Sequence, residues 1–193
     1  MGNANLPALG ADPENVTVSG FSSGSSLAGT LHMIYSDTIK GSGQIAGTPY
    51  GFGTTSRDSA TTEMYLENIA EKFAAKKIDD PSNLKNHPVY VLGFDRDTYV
   101  KPEYGCVAHT LGIFDKYGAK TLHEQKDFVH CVPTDLPVSD ATPTSGCEDK
   151  ADVKFFVSNC GFDAAGNLLK HLMTNLEKSP LTELKAKSDD WKK

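Results

Sequence analysis

Gly20-Phe21-Ser22-Ser23-Gly24 fits the pattern G-x-S-x-G, and its setting gives the pattern meaning. A short β-branched run, Val16-Thr17-Val18, precedes it, and Leu27, Leu31 and Ile34 follow at helical spacing, so the five residues form a sharp strand-to-helix turn. Such a turn holds a serine in a strained backbone and pushes its hydroxyl out at the carboxyl end of the strand, which requires small neighbours on either side. The N–H of Ser23, at the helix start, is then placed to stabilise an oxyanion. A Gly/Ser-rich turn without chemistry, or one that binds a phosphate, is the bland reading of the same residues.

A serine hydroxyl becomes a nucleophile when a histidine removes its proton, and that histidine needs a carboxylate to fix its tautomer. Two carboxylates, Asp95 and Asp97, directly follow the apolar run Val89-Tyr90-Val91-Leu92-Gly93, and spacing alone leaves them even. A turn aspartate that only caps its loop accounts for whichever does not serve. Among six histidines, His130 follows an outer-strand pattern and opens the loop His130-Cys131-Val132-Pro133-Thr134-Asp135. His32 and His171 fall within helical patterns, His87 precedes Pro88 at a strand entrance, and His109 and His123 are weaker alternatives.

The elements that must position these groups alternate. Strands are expected at 16–18, 41–46, 89–92 and 120–126, and helices at about 23–35, 61–77, 104–117 and 164–176. The continuous apolar run 89–92 is the mark of a strand buried on both faces. Four strands alternating with four helices predict an α/β fold with a mostly parallel sheet and helices on both faces. The stretch 47–62 is Gly/Ser/Thr-rich, and Pro133 to Asp149 reads as a second long loop. One folded region is expected over residues 1–178, followed by a polar, Lys-rich tail at 179–193.

At 193 residues, with 38% hydrophobic and 23% charged, the chain has the composition of a folded domain rather than a disordered tail. A net charge of −6 without a basic cluster argues against nucleic acid as a partner. No apolar run is long enough to span a bilayer, and Met1 to Gly10 has neither the basic nor the apolar region of an export signal. The four cysteines, Cys106, Cys131, Cys147 and Cys160, lack the spacing of a zinc site and allow two disulfides in any of three pairings. Asn15-Val16-Thr17 is a candidate glycosylation sequon for a secreted chain.

Five segments in order carry a resemblance: Leu6 to Pro13 leading into Val16 to Gly24; Tyr35-Ser36-Asp37 and Ala46-Gly47-Thr48-Pro49-Tyr50; Gly93 with Asp97-Thr98-Tyr99-Val100-Lys101-Pro102; His130 to Asp135; and Ser158-Asn159-Cys160 before the last helix. Together they resemble the extracellular polyhydroxyalkanoate, or poly(3-hydroxybutyrate), depolymerases, serine esterases of α/β-hydrolase type. The resemblance runs from about Leu6 to Leu176. It implies Asp97 rather than Asp95 as the acid, His130 as the base and Ser22 as the nucleophile. It also implies a Cys147–Cys160 disulfide, with Cys106–Cys131 as the pair that remains.

The departures are specific. Gly24-Ser25 stands where the family has Gly-Gly, and Cys131 where it has threonine. The family's His-Gly-Cys segment, which supplies the second oxyanion donor, has no counterpart in this sequence. Fungal members are circularly permuted, and this chain resembles the first half of such a permuted enzyme, an incomplete catalytic region. The expected activity is hydrolysis of a polyester or short-chain hydroxyacyl ester without metal or organic cofactor, and the resemblance implies an extracellular location. A complementing segment or partner at an unpaired sheet edge is implied as well. An acetyl or feruloyl esterase of the same fold, and a non-catalytic binding relative, are the alternatives.

Overall fold

The computed structural model describes residues 12–54, 59–135, 147 and 156–173. Four parallel strands form the main sheet: β1 (Thr17–Phe21), β2 (Gly41–Ile45), β3 (Pro88–Phe94) and β4 (Lys120–Lys126), in the spatial order β1-β2-β3-β4. The register pairs Thr17 with Gly41, Ser42 with Val89 and Pro88 with Lys120. Helices α1 (Ser23–Ile34), α2 (Thr62–Ala74), α3 (Cys106–Lys116) and α4 (Ala164–Leu172) connect or follow the strands.

The two-residue period of β3 divides the core. Val89 and Val91 point to one face, where they pack with Met33 of α1, Tyr65 and Ile69 of α2, and Ile113 and Phe114 of α3. Tyr90, Leu92 and Phe94 point to the other, against Ala164, Leu168 and Leu172 of α4. The uninterrupted apolar run in β3 therefore has the cause expected of it, a strand covered on both sides. The α/β class, the parallel sheet and the helices on both faces stand as the sequence predicts.

Local signals set the helix ends. The Thr61 hydroxyl accepts the Met64 N–H at the start of α2, and Asp163 accepts the Gly166 N–H at the start of α4. The predicted helix over 104–117 is shorter, because Pro102–Tyr104 forms a separate 3-10 turn and Gly105, with φ +63°, breaks it from α3. Two strands went unpredicted: β5 (Val132–Thr134) and β6 (Val157–Asn159) pair in parallel as a separate small sheet. Each is three residues long, too short for a periodic signal, and β5 contains a proline, so residues 132–134 read as loop. The rest of the long loop predicted after Pro133, except Cys147, and the tail at 179–193 lie outside the described residues.

Candidate active site

Ser22 sits between β1 and α1 with φ +56° and ψ −121°, a backbone region that a residue with a side chain occupies only under constraint. The constraint is local. Ser22 N–H donates to the Ile45 carbonyl at 2.9 Å, and the next turn is helical from Ser23 onward. A Cβ on Gly20 would fall 2.2 Å from the Gly24 carbonyl, so only glycine lets strand and helix approach this closely. Ser23 opens α1, where backbone N–H groups lack intrahelical acceptors.

Asp97 follows the carboxyl end of β3 and is 4% exposed. Its Oδ1 accepts the N–H groups of Tyr99 and Val100, each at 2.8 Å, which fixes the carboxylate plane. Oδ2 lies 2.6 Å from Nδ1 of His130, itself 2% exposed. With an ionised Asp97, His130 carries its proton on Nδ1 and presents a bare Nε2, which accepts the Ser22 hydroxyl at 2.8 Å. The structure thus brings Ser22, His130 and Asp97, separated by up to 108 positions, into one hydrogen-bonded line. Asp95 is exposed and accepts a bond from Gln125 at 2.8 Å instead.

The remaining histidines go elsewhere. His32 is fully buried between the Ser42 hydroxyl at 2.9 Å and the His87 ring at 3.1 Å. Burial, then the charge of His87, holds His32 down to about 3, and burial followed by the nearby Lys40 charge lowers His87 as well. His109 bonds Thr62, His123 bonds Gln125 and His171 bonds the Lys120 carbonyl.

Three aromatic rings flank His130, and sequence reading gave none of them a site role. Phe21 lies 4.6 Å away, Tyr99 5.0 Å and Phe156 6.2 Å, centroid to centroid. Tyr99 and Phe156 are both about half exposed, so they form an apolar rim over the buried imidazole. Phe21 and Tyr99 lie within the elbow and the acid loop and were open to inference. Phe156 arrives through the β5–β6 pairing, where its carbonyl accepts the Val132 N–H, and nothing near it in sequence marks it.

Cys147 and Cys160 form a disulfide. The Cys106–Cys131 pairing is corrected: the two cysteines are not joined, Cys106 opening α3 and Cys131 standing 4.0 Å from the Cys160 sulfur. Burial pushes the Cys131 thiol up to about 11. Cys131, Cys147 and Cys160 bring their sulfurs within 4.8 Å of one another, but two of them are consumed by the disulfide. Asn15 is exposed at the end of a 3-10 turn, its amide donating to Asp12 at 2.5 Å. Among the described residues no helix is long and apolar enough to cross a membrane.

No protein-family model matches the chain. It is 32% identical over 187 residues to a poly(3-hydroxybutyrate) depolymerase of Delftia acidovorans, covering 89% of this chain and 36% of that protein. It is 29% identical over 189 residues to a polyhydroxybutyrate depolymerase of Talaromyces funiculosus, covering 89% of this chain and 51% of the other. The crystal structure of the depolymerase from Penicillium funiculosum superposes with a TM-score of 0.74 at 25% identity, over 90% of this chain and 55% of that one. A second depolymerase structure, of a serine-to-alanine variant complexed with an R3HB trimer, has the same TM-score of 0.74 at 24% identity, over 89% and 55%.

The chain is similar in sequence and fold to the poly(3-hydroxybutyrate) depolymerases. It shares their α/β-hydrolase fold over the described residues, and it spans about a third to a half of the length of the two depolymerases it matches in sequence.

Proposed function

We propose that this chain is the part of a serine carboxylic ester hydrolase that carries nucleophile, base and acid, acting on a polyester or on short-chain hydroxyacyl esters. One observation carries the reading: the unbroken line Asp97–His130–Ser22, at 2.6 and 2.8 Å, ending on a serine held at a strained strand-to-helix turn. His130 Nε2 takes the Ser22 proton as Oγ attacks the ester carbonyl, and Asp97 stabilises the imidazolium formed. The Ser23 N–H stabilises the tetrahedral oxyanion. His130 then returns the proton to the departing alcohol, leaving an acyl-serine, and next activates the water that hydrolyses it.

The similarity to proteins named as depolymerases supports a polyester as substrate over an acetyl or feruloyl ester. The Cys147–Cys160 disulfide supports an oxidising, extracellular setting. Among the described residues β1 has a neighbouring strand on one side, which supports a complementing strand on the other, where it would bring a second oxyanion donor beside Ser22. Loss of one such donor costs about 10²- to 10³-fold in rate.

A fluorophosphonate probe tests the reading. Stoichiometric labelling that disappears in Ser22→Ala supports it, and absence of labelling, or labelling that survives the substitution, overturns it. Hydrolysis of hydroxybutyrate oligomers beside acetylated xylan then ranks the substrates.

A further inference from the structure

The first turn of α1 is tied to the loop after β2 by two hydroxyls. Ser26 Oγ accepts the Thr48 N–H at 3.0 Å, lies 2.8 Å from Thr48 Oγ1, and reaches the Ser22 carbonyl at 3.3 Å. The proton count closes in one way that uses every contact. Ser26 gives its hydroxyl proton to the Ser22 carbonyl, and its two lone pairs receive the Thr48 N–H and the Thr48 hydroxyl proton. The same carbonyl also accepts the Ser26 N–H at 3.1 Å, so it is held by two bonds from one residue. Gly47 makes the approach possible: a Cβ there would fall 2.1 Å from Ser25 Oγ, inside the first turn of α1.

The held carbonyl belongs to the peptide Ser22–Ser23. That unit is planar and trans, so fixing the Ser22 C=O fixes the direction of the Ser23 N–H on the opposite side. Ser22 itself is at φ +56°, where the backbone has an incentive to relax and turn this plane. We propose that Ser26 and Thr48 are positioning residues: through the Ser22 carbonyl they aim the Ser23 N–H at the developing oxyanion. This role rests on the reading of Ser22 as nucleophile and Ser23 as oxyanion donor.

The second-order rate of fluorophosphonate labelling at Ser22 is the readout, measured with thermal midpoints on the full chain. Thr48→Val and Ser26→Ala are each expected to slow labelling about tenfold without lowering the midpoint in step. Because the two hydroxyls act as one unit, the double variant should lose no more than about twofold beyond the worse single variant. Thr48→Ser, which keeps the hydroxyl, should label within twofold of the unmodified chain. Wild-type chain that fails to label overturns the functional reading together with this inference. Wild type that labels beside variants that label equally well overturns the inference alone. Losses that multiply in the double variant, that Thr48→Ser does not restore, or that follow a falling midpoint also overturn it.

Discussion

Two buried histidines in this molecule are built alike and wired differently. His130 and His32 are both almost completely buried, and each uses both ring nitrogens, one of them on a serine hydroxyl. His130 has a carboxylate on its other nitrogen and a serine that sits on a strained turn at the end of β1. His32 has a second imidazole, His87, on its other nitrogen, its serine is buried within β2, and Lys40 adds positive charge near His87. A histidine beside a serine is thus no chemical signature in itself. On the proposed reading the carboxylate stabilises His130 as it takes the serine proton, whereas burial and the His87 charge disfavour the charged form of His32.

The largest separation between the two sites should come from their serines. Ser22→Ala should lower hydrolysis of p-nitrophenyl butyrate by on the order of 10⁴-fold or more. Ser42→Ala should leave the rate per folded molecule within about twofold, so a large loss there would erase the distinction. The carboxylates come next. Asp97→Asn removes the negative partner and fixes the wrong tautomer, with an expected loss of roughly 10²- to 10⁴-fold in kcat. Asp95→Asn, which touches only the exposed Gln125 contact, should stay within about twofold.

Stability should separate them in the opposite sense. His32→Ala leaves a cavity and removes a ring partner from both Ser42, which keeps the Gln44 amide at 3.2 Å, and His87, an expected cost of about 2 to 4 kcal/mol by urea unfolding. The smallest effect, taken per pH unit, is the pH dependence. His32 and His87 have folded-state values below those of the unfolded chain, so between about pH 6.5 and 3 the unfolded chain binds protons that native His32 refuses. Stability is therefore full above about pH 6.5 and falls with pH by up to about 1.4 kcal/mol per unit for His32. Urea titrations of the wild type and of a His32→Gln variant between pH 7 and 5 should show a shallower slope in the variant.

Much of this site is legible in the linear sequence because its parts are punctuated locally. The glycines around Ser22, the apolar run of β3 that ends in the Asp95–Asp97 turn, and the loop opened by His130 all announce themselves within a few residues. The four main strands and four helices follow from periodicity for the same reason, since repeated burial on one or two faces leaves a repeated pattern. β5, β6 and Phe156 were illegible, because three-residue strands owe their existence to a partner 25 residues away rather than to any pattern of their own.

The sequence by itself thus determined the fold class, the strained serine turn and the short list of acids and bases. The resemblance already favoured Asp97 and His130, and the tertiary structure shows where each group stands. Asp97 faces His130 while Asp95 turns out to Gln125, and that choice depends on where the loop after β3 closes, a matter of ångströms between groups two residues apart. The same holds for Cys131, set beside the Cys147–Cys160 disulfide rather than bonded to Cys106, and for the Ser26–Thr48 tie across the elbow. Side-chain direction and long-range approach are set by packing, and residue type and spacing along a chain do not encode them singly.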